Sequence, residues 1–98
     1  MKYLCNSMMK KEEFPDGDLL IYDDLNETYH ILNKTAHEIL NLLENEECEI
    51  AKALFLSNRK ESNVETSVME EDFNNVLNLL LAKSIIFEEG NNKYIQLN

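Results

Sequence analysis

The stretch Tyr29-His30-Ile31-Leu32-Asn33-Lys34-Thr35-Ala36-His37-Glu38-Ile39-Leu40 changes periodicity at its centre, and that change decides the fold. From Thr28 to Leu32 the chain is β-branched and aromatic, the composition of a half-buried strand. Asn33 ends it, because its side-chain oxygen can accept from the unpaired amides of a following helical turn. Ala36, Ile39, Leu40 and Leu43 then recur at helical spacing, which predicts a first helix over residues 34–43.

Working outward toward the N-terminus, Pro15-Asp16-Gly17 marks a turn. A strand is expected before it within residues 7–14, and a second in Leu19-Leu20-Ile21-Tyr22, closed by Asp23-Asp24-Leu25-Asn26. Three strands joined by two short turns make an antiparallel meander whose third strand, residues 28–32, lies at an edge. In the other direction, Glu44-Asn45-Glu46-Glu47 is a polar break. A second helix is expected over 49–56, with Ile50, Ala53 and Leu54 on its apolar face. Ser67-Val68-Met69-Glu70 fits a capping box. It would open a third helix over 68–83, with Glu70, Glu71 and Asp72 in the first turns to complement the helix dipole. Ile85-Ile86-Phe87 and Lys93-Tyr94-Ile95-Gln96 read as a closing hairpin. The expected fold is α+β and winged helix-turn-helix-like: a three-stranded meander, three helices and a short C-terminal hairpin. One domain is expected over residues 1–98, and Met1 with the short tail favours a freestanding protein.

Composition narrows the function. A chain of 98 residues, 44% of them apolar, can build one core but not easily a deep reaction chamber. Nineteen acidic residues against nine basic ones give a net charge of -10, which repels phosphate backbones and anionic membranes and attracts basic segments of partners. The N-terminus has no apolar run long enough for a signal peptide, and nothing later could span a bilayer, so the cytoplasm is expected. Cys5 and Cys48 then read as free thiols. With His30 and His37 they lack the paired spacing of a metal site, so no metal or other cofactor is expected. The only glycines are Gly17 and Gly90, which leaves no phosphate-cradling loop. His37 could act as a base, but no nucleophile or orienting carboxylate is spaced to complete a triad. No catalytic residue is assigned, and an enzyme is not expected.

The third helix carries more apolar surface than one contact requires. Met69, Phe73, Val76, Leu77 and Leu80 share a stripe, with Val68 and Leu79 on one side of it and Leu81 on the other. The apolar arc covers about half the circumference, against ~100° for a single core contact. One flank either meets the sheet or lines a groove left for a partner. The third strand has no Lys, Pro or charged residue of the kind that blunts an edge. A wing or a dimer partner could cover that edge; left open, it would receive an extended peptide by strand addition. A titrating His30 beside such a peptide would make binding pH-sensitive. A winged-helix transcriptional regulator is the alternative, and another protein-interaction adaptor is a further one. Residues 61–82, however, hold five acidic side chains and no Lys or Arg, which is unsuited to reading a DNA groove.

The stretch from Tyr29 to Leu40 resembles the "y-x-x-L-N-x-T-A-x-x-I-(W/L)" signature of the PqqD family, whose fold is the recognition element for precursor peptides that are ribosomally made and then modified (RiPPs). Asp16-Gly17-Asp18-Leu19-Leu20, Glu49-Ile50-Ala51-Lys52-Ala53-Leu54 and residues 64–87 are similar to further family segments, so the resemblance covers about residues 7–88. It departs at Glu44-Asn45, where the family has "dG", and at Ser84, where it has Gly; both positions are turns. The resemblance implies that a leader peptide is bound as an added antiparallel strand and presented to a modifying enzyme such as a radical S-adenosylmethionine maturase, a protease or a cyclase. By position it implies contacts from Thr28, Tyr29, His30, Ile31 and Leu32 of the strand and from Asp72, Asn75, Val76 and Leu79 of the last helix.

Overall fold

A computed structural model describes residues 2–59 and 65–89. In chain order the elements are β1 (Tyr3–Cys5), β2 (Met9–Glu13), β3 (Leu19–Asp23), β4 (Thr28–Leu32), α1 (Lys34–Asn45), α2 (Cys48–Ser57), α3 (Thr66–Ala82) and β5 (Ile86–Glu88). The expected meander is present: β2, β3 and β4 form an antiparallel sheet in that order, with β4 at its edge. Asn33 caps α1 as its chemistry requires, the Ala36 amide donating to Oδ1 at 2.9 Å. Alternation along β3 buries Leu19, Ile21 and Asp23 and leaves Leu20 and Tyr22 on the outer face. The helices cover the inner face only.

Three features differ from the sequence reading. The N-terminal residues form β1, which pairs antiparallel with β5, Tyr3 opposite Glu88 and Cys5 opposite Ile86. A strand of three residues has too little pattern to declare itself without its partner. The second strand of the expected hairpin, residues 93–96, lies outside the described residues. Helix α2 is rotated from its expected orientation: Ala51 and Phe55 are buried, while Ile50 and Leu54 are 47% and 40% exposed and Ala53 is also exposed. Both faces are apolar, and the aromatic ring wins. Phe55 packs on Phe73 of α3 at 5.7 Å between centroids, and the Arg59 guanidinium lies over the Phe55 ring at 3.9 Å while bridging to Glu38 of α1. Helix α3 starts before the expected capping box. Glu65 is its N-cap without a side-chain bond, so Ser67 sits inside the first turn and Glu70, Glu71 and Asp72 fall beyond the reach of the dipole's end.

The core stripe of α3 is as expected: Met69, Phe73 and Leu80 are buried, and Val76 and Leu77 pack partly buried against the same cluster. The helix ends in a Schellman motif, with the Ser84 amide donating to Leu81 O and the Ile85 amide to Leu80 O. That motif places Ser84 in the left-handed region at φ 57, where a Cβ costs about 1 kcal/mol or more. Ser84→Gly is therefore expected to raise stability by about 1 kcal/mol, read as an increased urea midpoint with an unchanged slope.

Candidate functional site

The direction of each backbone group on β4 follows from the β2–β3 turn. The Phe14 amide donates to Asp18 O at 2.9 Å, so the backbone of Asp18 faces β2. In an antiparallel ladder this direction alternates. Leu20 and Tyr22 therefore also face β2, while Leu19, Ile21 and Asp23 face β4. Their register partners Leu32, His30 and Thr28 consequently bond to β3. Tyr29 and Ile31 are left with N–H and C=O groups directed to the open edge, where no other described strand pairs with them.

Side chains alternate in the same rhythm. Thr28, His30 and Leu32 project to the helical side, exposed, half-buried and buried in turn. Tyr29 and Ile31 project to the outer face, 68% and 66% exposed, beside their register partners Tyr22 and Leu20. The rings of Tyr22 and Tyr29 lie 5.3 Å apart. Tyr29 and Ile31 can thus meet a peptide through their backbone and on the outer face, but their side chains point away from α3.

Helix α3 packs mainly on α1, α2 and β5 rather than on β4. A groove of about 480 Å³ opens between its C-terminal end and the start of β4. Thr28 and His30 of β4, Ala82 and Lys83 at the end of α3, and Met8 and Met9 are among the residues that line it. Asp72, Asn75, Val76 and Leu79 do not line this groove. They do form one helical stripe at spacings of three and four, and Ala82 and Lys83 extend it by the same spacing. The stripe therefore leads into the groove, with Leu79 41% exposed along it. Met8, Met9, Leu25, Ala82 and Lys83 were not indicated by the sequence, since nothing local places the β3–β4 turn against a helix end.

The groove's acidic and amide groups are already engaged. Asp23 accepts from the amides of Leu25 and Asn26 and from Asn26 Nδ2, at 3.0, 3.3 and 2.7 Å. The Asn26 side chain is the main reason that its carboxyl titrates below the usual carboxylate value. Asn6 Nδ2 donates to Ser84 O, and its Oδ1 accepts from the Met8 amide.

His37 is a partly exposed residue of α1 whose two ring nitrogens both lie near partners. Its side chain is 12% exposed, Nδ1 lies 2.8 Å from Gly17 O, and Nε2 lies 3.5 Å from Glu13 Oε1. Donation to a carbonyl places the proton on Nδ1, and the ring ties the β2–β3 turn to α1. Cys5 and Cys48 are free thiols. Burial, then a hydrogen bond with Glu44, pushes the Cys5 thiol up to about 12, so it stays protonated and poorly nucleophilic at neutral pH. Among the described residues, no three His, Cys, Asp or Glu side chains are grouped to hold a metal ion, and no helix is long and apolar enough to cross a membrane.

No family model matches the chain, and no curated protein matches it. Two solved structures share its fold. TbiB1 in complex with the TbiA(beta) leader peptide superposes with a TM-score of 0.67 at 21% identity, over 88% of this chain and 94% of that one. Lasso peptide synthetase B1 complexed with the leader peptide superposes at 0.72 and 18% identity, over 90% of this chain and all of the other. The chain thus has the α+β, winged-helix-like fold of two proteins solved with leader peptides bound.

Proposed function

We propose that this chain is a non-catalytic peptide-binding domain, formed by residues 1–98, that captures the leader region of a ribosomally made precursor and presents it to a modifying enzyme. The observation that carries this reading is the edge of β4, unpaired among the described residues, with the Tyr29 and Ile31 backbone directed outward beside a groove that reaches α3. A peptide laid there as a fourth strand gains backbone hydrogen bonds from the edge and selectivity from the groove. The fold shared with two leader-peptide complexes supports it. The place of action is the cytoplasm, where precursor and modifying enzyme are made. Thr28, His30 and Leu32 then face the groove side of the peptide, Tyr29 and Ile31 bond its backbone, and Asp72, Asn75, Val76 and Leu79 flank it along α3.

The test is a titration of the protein with labelled synthetic leader segments from the short reading frames encoded beside its gene, with amide exchange on the complex. A dissociation constant of about 1 μM, roughly -8 kcal/mol, is expected, with new protection at Tyr29 and Ile31. Protection confined to β1 and β5, or no binding even at high micromolar peptide, would refute the proposal. Leu79→Asp is expected to weaken binding by about 2 kcal/mol, near thirtyfold, because it puts a charge where an apolar anchor docks. Its circular dichroism should be unchanged, since Leu79 lies outside the buried core.

A further inference from the structure

We propose that the groove at the start of β4 is a specificity pocket, and that it takes one bulky apolar side chain of the bound peptide together with a neighbouring carboxylate. The inference rests on strand addition at β4. In an antiparallel arrangement, the peptide residues across from Thr28 come late in the bound segment, so the pocket reads its C-terminal end. Residues that bond with Tyr29 and Ile31 turn their side chains to the outer face, and those between them turn inward to the groove.

The apolar lining sets the first half of the preference. Met8 is 40% exposed and Leu25 70% exposed, and with the exposed Ala82 they present apolar surface that nothing in the described chain covers. Thioethers adapt to irregular shapes and pack well against rings, so a bulky aliphatic or aromatic residue fits. About 480 Å³ is ample room for it.

The polar groups set the second half. The Asp23 carboxylate is spent on the β3–β4 turn, and Asn6 is spent on Met8 and Ser84. Asp24, on the same turn, is paired with Lys10 at 3.2 Å. Lys83, in contrast, makes no ion pair or side-chain hydrogen bond among the described residues, and it lines the same pocket as His30. The chain as a whole carries -10 and Asp23 keeps its charge here, but its oxygens are taken up by the turn, so Lys83 is the charged group at this pocket with hydrogen-bonding capacity to spare. Long-range attraction therefore favours a generally basic leader, while the pocket selects a local acidic residue.

The experiment is a selection from a library of random displayed peptides, each longer than the five residues of β4, on the immobilised full chain. Amide exchange then places each selected peptide. The expected consensus is a large apolar residue with Asp or Glu at fixed spacing, and a tenfold or greater loss when that acid becomes Lys. Selection on Lys83→Glu should reverse the preference to Lys or Arg, a gain of binding that misfolding cannot mimic. Peptides that protect Tyr29 and Ile31 but show no acidic position, or whose preference ignores Lys83→Glu, overturn the pocket and leave strand addition standing. If no selected peptide protects Tyr29 and Ile31, strand addition itself fails and the pocket fails with it.

Discussion

Replacing Ile31 with proline is expected to weaken leader binding by about 1–3 kcal/mol, a loss of fivefold to over a hundredfold, while the protein still folds. Proline removes one of only two amides that β4 directs to its open edge, and the pyrrolidine ring occupies the space where the peptide's carbonyl would approach. The native ladder loses nothing, because the Ile31 amide does not bond to β3, and proline is tolerated on an edge strand that faces solvent. The adjacent residue supplies the control. The His30 amide faces Ile21 across the β3–β4 ladder, so His30→Pro should cost a ladder bond and destabilise the fold by about 3 kcal/mol. Urea denaturation of both variants, followed by peptide titration of the one that folds, reads the difference directly. If Ile31→Pro unfolds the protein as readily as His30→Pro, the assignment of outward amides is off by one residue and the binding edge must be redrawn.

Phe73→Ala is expected to produce the largest stability change, about 3–5 kcal/mol. The ring is fully buried, lies 5.7 Å from Phe55 and has the Lys52 ammonium 5.9 Å from its centroid. Removing it empties the junction between α2 and α3, where Phe55 is the large side chain that α2 buries. Domains of this size have total stabilities of only about 5–15 kcal/mol, so the variant should lose its cooperative transition or approach that loss. Phe73→Leu keeps most of the volume and should cost clearly less. A small effect of Phe73→Ala in urea denaturation would mean that the α2–α3 packing contributes little. The contrast with Leu79→Asp is instructive: six residues along the same helix, the effect moves from folding to binding.

What the sequence determined by itself lies where bonding and periodicity are local. Asn33 caps α1 because donor and acceptor are three residues apart, and the Met69, Phe73, Leu80 stripe repeats over a few turns. The edge position of β4 and its lack of guarding charges were equally legible. Tertiary structure alone decided four things. It paired Tyr3–Cys5 with Ile86–Glu88, a contact between chain ends that no local pattern announces. It chose Ala51 and Phe55 over Ile50 and Leu54 as the buried face of α2, because two apolar faces on one helix are separated only by what each meets. It turned the Tyr29 and Ile31 amides outward, since that direction is inherited through two strand pairings from the Phe14–Asp18 bond. It also brought Met8, Leu25 and Lys83 to one groove from three separate parts of the chain. Periodicity reports which side of an element is apolar; only packing reports what that side faces.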